Sequence, residues 1–330
     1  MKIDLPSVID TFASHKVLII GDVMIDSYLW GKVERISPEA PVPIITWTSQ
    51  ENRLGGAANV ALNVQSLGAT PILCAVIGSD DRSKILYELL GKQGMTSMGI
   101  IEDNERMTTM KTRIISSDQQ MLRVDREIDK PISSLVEKQF SMHINKILCE
   151  NNISAIIFED YDKGSITPNI IASVVAKAKE LSIPVLVDPK KRNFLAYDNV
   201  TLFKPNFKEL NEGLKTEASK TNPDSLFKAA QVLHKEKNIE LVMITLSEAG
   251  VFISNGSEYK IIPAHFRSIT DVSGAGDTVI SVAALCLAAG LNPFATSAVA
   301  NMAGGLVCEK VGVVPIEKSL LKEEVQKLKL

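Results

Sequence analysis

The chain has 330 residues, 45% hydrophobic and 23% charged, which predicts a globular protein with one large core and a smaller appendage. A formal net charge of −3 gives no electrostatic reason to expect a nucleic acid partner, so locally arranged donors must hold any anionic ligand. The most apolar segment, residues 278–291, is shorter than the roughly 20 residues of a membrane span and predicts a core helix.

Cysteine usage and the N-terminus indicate a reduced, cytoplasmic protein. The four cysteines lie far apart in apolar surroundings and form no CxxC pair, which argues against a zinc site or a disulfide framework. Lys2, Asp4 and Asp10 interrupt the apolar residues at the N-terminus, so no signal peptide is visible. We therefore expect no membrane association.

Taken in order, the chain alternates predicted strands with predicted helices. Short β-rich runs predict buried strands at residues 16–22, 72–78, 155–160, 184–189, 201–205 and 241–246. Helical spacing of apolar residues predicts helices at 57–67, 83–90, 135–148, 170–181 and 226–234. This alternation predicts an α/β fold with a mostly parallel central sheet and helices on both faces. Ligands of such sheets lie beyond the carboxyl ends of the strands, which here end in Asp22, Asp160, Asp188, Asn206 and Thr245.

Two segments, residues 27–53 and 107–126, break the alternation and read as extended. We assign them jointly to a small four-stranded β lid on an otherwise single domain of residues 1–330. Such a lid would leave one apolar face uncovered, with Trp30, Ile44 and Trp47 as its candidate residues. Pairing with a second copy would cover that face, so we predict a homodimer through the lids.

The last third of the chain contains a predicted hairpin and three predicted helices. Alternation around Asn255-Gly256 predicts a hairpin over residues 251–262. Beyond the core helix, residues 293–310 and the charged amphipathic stretch 316–330 predict two further helices.

The stretch DVSGAGD at residues 271–277, directly before the core helix, is the strongest chemical signal. Its glycines, Gly274 and Gly276, allow a sharp turn and the close approach of a ligand. A helix that begins there presents free N–H groups of Ala275, Gly276 and Asp277 to a phosphoryl group, while the Asp277 carboxylate accepts a proton from a hydroxyl. Alternatively, the motif is an ordinary turn capped by Asp271 or Ser273 with nothing bound.

Two other clusters suit a hydroxyl-rich ligand. Gly55 and Gly56 precede a helix, and Asn59 can both donate and accept hydrogen bonds to sugar hydroxyls. Asp26, four residues after Asp22, can accept a pair of hydroxyl hydrogens. A glycine turn with a helix-starting Asn, and a carboxylate that caps a turn, are the structural alternatives.

Asn206 and Glu209 are spaced so that both side chains can face one side of a first helical turn. Their oxygens suit water-mediated contact with the hydrated Mg²⁺ of a nucleotide. An Asn N-cap with a Glu at N3 is the structural alternative. A Walker loop is missing, and no G-x-G-x-x-G follows a strand, so neither a P-loop nor a nicotinamide site is supported.

Together these motifs resemble the ribokinase-like (PfkB) carbohydrate kinases. The resemblance rests on Gly55-Gly56 with Asn59, on Asn206 with Glu209 and on residues 271–277, in this order over nearly the whole chain. Within the family, residues 35–43, 53–61, 119–125 and 160–164 resemble the kinases that phosphorylate D-glycero-β-D-manno-heptose 7-phosphate at O1 in lipopolysaccharide core synthesis. The resemblance implies a three-layer α/β/α sandwich with a β lid.

The resemblance also implies roles for individual residues. ATP and Mg²⁺ are the expected cofactors, and a sugar phosphate is the expected substrate. Asp277 would be the base, Gly274 to Gly276 the anion hole, and Asn206 and Glu209 the magnesium region. The sugar would contact Asp26, Gly55, Gly56 and Asn59. The nucleotide would contact Thr245, Ser247, Gly250, Asp271 and Asn301.

A substrate that already carries a phosphate needs cationic contacts, and we assign these to Arg113, Arg123 and Lys190. Bifunctional relatives fuse a nucleotidyltransferase after the kinase, so here the adenylyl-transfer step is expected to need a separate protein. Two alternatives stay open: a kinase for ribose, fructose or a fructose phosphate, and a regulator that binds sugar or nucleotide without catalysis.

Overall fold

The structure, a computed structural model, describes residues 4–117, 119–264 and 269–328, and thirteen strands lie within these ranges. In chain order they are β1 (Lys16–Gly21), β2 (Val23–Ile36), β3 (Pro43–Gly56), β4 (Thr70–Gly78), β5 (Gly99–Asp103), β6 (Met110–Ser116), β7 (Gln119–Arg126), β8 (Ala155–Glu159), β9 (Val185–Asp188), β10 (Leu202–Phe203), β11 (Leu241–Thr245), β12 (Val251–Ser254) and β13 (Tyr259–Ile262). In this part of the chain, nine strands form one sheet in the order β13-β12-β11-β10-β9-β8-β1-β4-β5.

Helices cover both faces of the nine-stranded sheet. In chain order they are α1 (Leu5–Thr11), α2 (Ala57–Ser66), α3 (Asp81–Lys92), α4 (Ser134–Glu150), α5 (Pro168–Glu180), α6 (Phe207–Leu214), α7 (Pro223–Lys237), α8 (Ala275–Ala288), α9 (Pro293–Val307) and α10 (Lys318–Glu324). Val17 and Ile19 of β1 face a core shared with α2, α8 and α9. Leu18 and Ile20 face a second core shared with α4, α5 and α7. The predicted three-layer α/β/α fold is confirmed.

Most of the strands that pair in parallel are buried on both faces of the sheet. From β5 to β11 neighbouring strands pair in parallel, and β1 and β8 are buried along almost their whole length. Apolar runs without polar alternation therefore mark strands covered on both faces. At the other edge, β11, β12 and β13 pair antiparallel, and the hairpin predicted over residues 251–262 is formed by β12 and β13.

A second sheet of four described strands, in the order β3-β2-β6-β7, occupies the segments predicted to form the lid. β2 pairs antiparallel with β3 and parallel with β6, and β6 pairs antiparallel with β7. Asp22 alone separates β1 from β2, and β3 runs directly into α2. The lid sheet is therefore attached at the carboxyl end of β1.

The lid corrects one sequence prediction. Trp30 stacks on Tyr28 with ring centroids 5.7 Å apart, on the face of β2 that also carries Asp26. Side chains two residues apart share a face of a strand, so Trp30 does not belong to an uncovered outer face. Trp47 is exposed as predicted, and Ile44 is half-buried. Asp118, in the second lid segment, lies outside the described residues.

Several boundaries differ from the predictions. α8 begins at Ala275 rather than residue 278, because its first turn is polar and carries no apolar signal. The helix predicted over residues 316–330 is shorter: α10 ends at Glu324 and a 3₁₀ turn, Val325–Lys327, follows it, while residues 329 and 330 lie outside the description. Neither β5 nor α6 was predicted. No helix among the described residues is both long and apolar enough to cross a bilayer.

Candidate active site

Strand ends at one edge of the sheet carry a group of buried polar side chains. Asp22 follows β1, and its carboxylate accepts the backbone N–H groups of Tyr161 (3.0 Å), Lys163 (3.0 Å) and Ser165 (3.2 Å). Asp22 therefore fixes the segment that leaves the neighbouring strand β8. Asp160 accepts hydrogen bonds from the side chains of Asn193 and Tyr197, and burial raises its pKa to about 6.

The turn before α8 has the geometry of an anion site. Gly274 is the N-cap with φ +79°, and a Cβ there would lie 3.0 Å from Asn59 Nδ2. Thr278 N–H is the first to donate within the helix, to the Gly274 carbonyl, so the N–H groups of Gly276 and Asp277 come before the first intrahelical donor. Ala275 N–H already donates to the Val272 carbonyl at 3.3 Å. Within the described parts of the chain these two N–H groups have no acceptor, and they stand at the positive end of the helix, where they can bind an anion.

The carboxylate of Asp277 stands in the first turn of α8 and is 5% exposed. Asn59 Nδ2 donates to Oδ2 at 2.7 Å, and the Tyr161 hydroxyl donates to Oδ1 at 2.9 Å. Burial raises the pKa of Asp277 to about 6, and the charge of Asp188 acts in the same direction, whereas the bonds from Asn59 and Tyr161 oppose the shift. The carboxylate is thereby suited to accept a proton near neutral pH.

Three carboxylates converge beside this turn. One oxygen each of Glu159, Asp188 and Asp277 lies within 4.8 Å of the others. Glu159 is fully buried, and neither of its oxygens has a hydrogen-bond partner among the described residues. Burial, with repulsion from Asp188 and Asp277, raises the pKa of Glu159 well above its ordinary value. Orphaned buried oxygens beside two more carboxylates fit a hard divalent cation, which prefers oxygen ligands.

Lysines balance part of this negative charge. Lys204 Nζ lies 2.7 Å from Asp188 Oδ2, and Lys190 Nζ lies 2.6 Å from Glu209 Oε1 and 3.8 Å from Asp188 Oδ1. Burial lowers the pKa of the Lys190 ammonium, but Asp188 and Glu209 outweigh it and hold the pKa above its usual range. Both lysines therefore stay charged.

Asn206 and Glu209 form a capping box at the start of α6. Asn206 Oδ1 accepts the Glu209 N–H at 2.9 Å, and Glu209 Oε2 accepts the Asn206 N–H at 2.8 Å. The structural alternative given for this pair, an Asn N-cap with a Glu at N3, is therefore present. Since Lys190 occupies the second oxygen of Glu209, water-mediated binding of Mg²⁺ by these residues stays a prediction.

Most of the residues assigned to the nucleotide line one cavity of about 380 Å³ beside the start of α8. Its walls include Thr245, Ser247, Gly250 and Asn301, together with Ala275 and Gly276 of the central motif. Asp271 serves the turn itself: its carboxylate accepts the N–H groups of Ser273 and Gly312, both at 2.9 Å.

On the lid, Asp26 forms a buried ion pair with Arg113, whose guanidinium also lies 5.4 Å from the Tyr28 ring centroid. A Cβ at Gly55 would lie 2.2 Å from Asp26 Oδ2, so Gly55 makes room for this carboxylate. Arg123 is the cross-strand neighbour of Arg113 and pairs with Asp125 at 2.8 Å. No contact among the described residues joins either arginine to Lys190.

Sequence reasoning missed Glu159, Tyr161 and Lys204. Each stands one or two positions from a strand-ending residue that was singled out, Asp160 or Asn206. Glu159 was hidden inside an apolar run, and Tyr161 lies in the DYDKG segment, to which no role was given. The polar residues at strand ends were therefore the right signal, but the residues one or two positions away from them also needed to be considered.

Comparisons with known proteins show which family the chain belongs to. The sequence profile described as "pfkB family carbohydrate kinase" matches residues 14–319. The chain is 40% identical over 299 residues to the bifunctional protein HldE of Helicobacter hepaticus, covering 91% of this chain and 61% of that protein. With the HldE proteins of Pelobacter propionicus and Citrifermentans bemidjiense it shares 39% and 36% identity, covering 94% and 98% of this chain and 64% and 66% of theirs. The chain thus spans less than two thirds of these relatives.

Solved structures share the fold at low sequence identity. Phosphofructokinase-2 from Escherichia coli in complex with potassium superimposes with a TM-score of 0.76 at 17% identity, covering 94% of this chain and 97% of that chain. Ribokinase from Arabidopsis thaliana complexed with ribose and ATP gives a TM-score of 0.73 at 18% identity, covering 96% and 99% of the two chains.

Proposed function

The chain belongs to the pfkB family of carbohydrate kinases, and on that premise we propose that it transfers the γ-phosphoryl group of ATP to O1 of D-glycero-β-D-manno-heptose 7-phosphate. One observation carries the proposal: the Asp277 carboxylate is held by Asn59 and Tyr161 beside two free N–H groups and the cavity assigned to ATP. The choice of sugar is supported by the four short motifs described above and by 36% to 40% identity to HldE proteins.

The reaction follows from this arrangement. Asp277 accepts the proton of the sugar hydroxyl as the oxygen attacks the γ-phosphorus, and the bond from that phosphorus to the β,γ-bridging oxygen breaks to release ADP. The N–H groups of Gly276 and Asp277 stabilise the negative charge on the transferring group. Positioning and charge neutralisation supply most of the acceleration in such a reaction, so the fixed orientation of Asp277 is central.

We propose that Glu159 and Asp188 hold Mg²⁺, with the capping pair Asn206 and Glu209 nearby. The orphaned oxygens of Glu159 support this placement. When bound, the ion would neutralise charge on the phosphate oxygens of the nucleotide. Lys204 and Lys190 offset part of the negative charge of Asp188 and Glu209.

The phosphate already on the substrate is assigned to Arg113, Arg123 and Lys190. Arg113 forms an ion pair with Asp26, which is assigned to the sugar. Arg113 is therefore placed to contact the same ligand as Asp26. Replacing each cation by Ala should raise KM for the sugar phosphate much more than KM for ATP. Equal effects on both substrates would remove the assignment.

We further propose a homodimer formed through the lids. Leu122 and Val124 of β7 are 56% and 50% exposed and alternate with Arg123, which shares the face of Arg113. They therefore form an apolar strip on the opposite side of the lid from Asp26.

The direct test of the proposed function is a comparison of acceptors. ADP release would be measured with heptose 7-phosphate, fructose 6-phosphate and ribose, and the position of the new phosphate determined by ³¹P NMR. We expect the highest kcat/KM with heptose 7-phosphate and phosphorylation at O1. Preference for fructose 6-phosphate or ribose would still be consistent with a sugar kinase, but it would contradict the proposed substrate.

A further inference from the structure

Two donors from different parts of the chain hold the two oxygens of the base. Asn59 belongs to α2, and Tyr161 belongs to the segment between β8 and α5. Because one bonds Oδ2 at 2.7 Å and the other Oδ1 at 2.9 Å, rotation of the Asp277 carboxylate about its Cβ–Cγ bond is restricted from both sides.

The carboxylate has reasons to move when a donor is missing. Oxygens of Glu159 and Asp188 lie within 4.8 Å of an Asp277 oxygen, and the charge of Asp188 repels the Asp277 carboxylate at this distance. Asp277 is the third residue of α8, and an aspartate side chain can bond its own backbone N–H or that of a neighbouring residue. Those N–H groups are the ones assigned to the phosphoryl group. A carboxylate that turned back would block the anion site and would no longer contact the acceptor hydroxyl.

Tyr161 is itself fixed before any substrate arrives. Its backbone N–H donates to Asp22 Oδ2 at 3.0 Å, and the N–H groups of Lys163 and Ser165 anchor the same segment to the same carboxylate. The Lys190 ammonium lies over the Tyr161 ring, 5.3 Å from its centroid, and contributes a cation–π contact. The hydroxyl is therefore aimed by contacts to the sheet edge rather than by the substrate.

We propose that Tyr161 is a positioning residue for phosphoryl transfer: its hydroxyl keeps the Asp277 carboxylate directed at the acceptor hydroxyl and away from the first-turn N–H groups of α8. This inference deepens the proposed function and rests on Asp277 being the base. Since Tyr161 acts through Asp277, its loss lowers the rate of transfer without weakening the binding of either substrate.

The experiment compares steady-state kinetics of the wild type, Tyr161→Phe and the control Tyr259→Phe. Tyr259 also donates its hydroxyl to an aspartate, Asp224 at 2.8 Å, but on the exposed edge strand β13. We expect Tyr161→Phe to lower kcat roughly ten- to a hundred-fold, as for a small misplacement of a reacting group, with both KM values unchanged. Tyr259→Phe should leave all constants unchanged.

A second pair of variants separates positioning from a general structural effect. In an Asp277→Asn background, adding Tyr161→Phe should change the residual rate by less than about two-fold, because residues that act as a unit are not additive. An equal drop in that background, an unchanged kcat in Tyr161→Phe alone, or a raised KM for the sugar with unchanged kcat would each overturn the proposal. A wild type that phosphorylates none of the three acceptors would instead refute the proposed function, and the role of Tyr161 with it.

Discussion

At the scale of single residues, the buried carboxylates determine what pH and magnesium do to the enzyme. Asp277 must be ionised to accept a proton, and burial places its pKa at about 6 in spite of the hydrogen bond from Asn59. The rate should therefore fall as the pH drops below about 6, approaching tenfold per pH unit.

Removing the Asn59 donor tests whether protonation of Asp277 causes the fall in rate at low pH, the acid limb of the pH profile. A hydrogen bond to the ionised form lowers a pKa, so Asn59→Ala should raise the pKa of Asp277 and shift the acid limb of kcat/KM to higher pH. The titration of the sugar phosphate is the same for both enzymes, so any difference between the profiles belongs to the protein. Superimposable acid limbs would contradict the assignment of the limb to Asp277.

Magnesium dependence distinguishes two sets of acidic residues. Glu159→Gln removes a carboxylate whose two buried oxygens have no hydrogen-bond partner among the described residues, so the Mg²⁺ concentration for half-maximal rate should rise at least about tenfold. Glu209→Gln is the matched control, because that carboxylate already bonds Asn206 and Lys190. A larger shift for Glu209→Gln would restore Asn206 and Glu209 as the principal magnesium residues.

Some residues of the site could be predicted from the sequence, and others could not. Gly274, Gly276 and Asp277 were identifiable because the motif is local and continuous. Asn59 was assigned to the sugar, whereas its amide also donates to Asp277, 218 residues away. The ion pair of Asp26 with Arg113 spans 87 residues, so only the pairing of β2 with β6 reveals it. Contacts of this kind depend on which strands become neighbours, and residue spacing does not contain that information.

At the scale of elements, the start of α8 connects backbone geometry to chemistry. Gly274 and Gly290 both adopt φ +79°, but a Cβ at Gly274 would meet Asn59 at 3.0 Å, whereas a Cβ at Gly290 meets nothing within 4 Å. Gly274→Ala and Gly290→Ala should each lower the free energy of unfolding by about 1–2 kcal/mol, the cost of a left-handed alanine.

Enzyme activity should separate these two variants. Gly274→Ala displaces Asn59 and the first turn of α8, so kcat should fall, while Gly290→Ala, at the far end of the helix, should keep the wild-type kcat. Thermal unfolding and steady-state kinetics on both proteins measure the two effects. Equal activity of the two variants would show that the turn before α8 tolerates movement and is not part of the site.

The strands and helices themselves followed from the sequence wherever burial was two-sided or strongly periodic. Runs such as residues 16–22 and 155–160 became β1 and β8 with boundaries shifted by one residue. The edge strand β5 was missed because its three middle residues are only partly buried or exposed, so it carries no continuous apolar run. α6 was missed because one residue, Leu210, carries its buried contact, and its capping box was the only local signal.

At the scale of the whole molecule, the lid predicts self-association. Leu122→Asp with Val124→Asp places two charges on the exposed apolar strip of β7, so a dimer held by this face should dissociate. Leu135→Asp is the control, since Leu135 is 67% exposed on α4, outside the lid. Light scattering at micromolar concentration should give a dimeric mass for the wild type and the control, and a monomeric mass for the double variant. A monomeric wild type would refute the lid dimer.

The account as a whole depends on one carboxylate at the start of a buried helix, and Asp277→Asn tests it most directly. This variant keeps the shape of the side chain and removes its ability to accept a proton. Phosphoryl transfer to the sugar and ATP affinity, by calorimetry, would be measured on the same preparation. We predict that transfer falls by at least about a hundred-fold, within the range typical of a lost general base, while the Kd for ATP stays within a few-fold of the wild type. Turnover retained at the wild-type rate would contradict the mechanism.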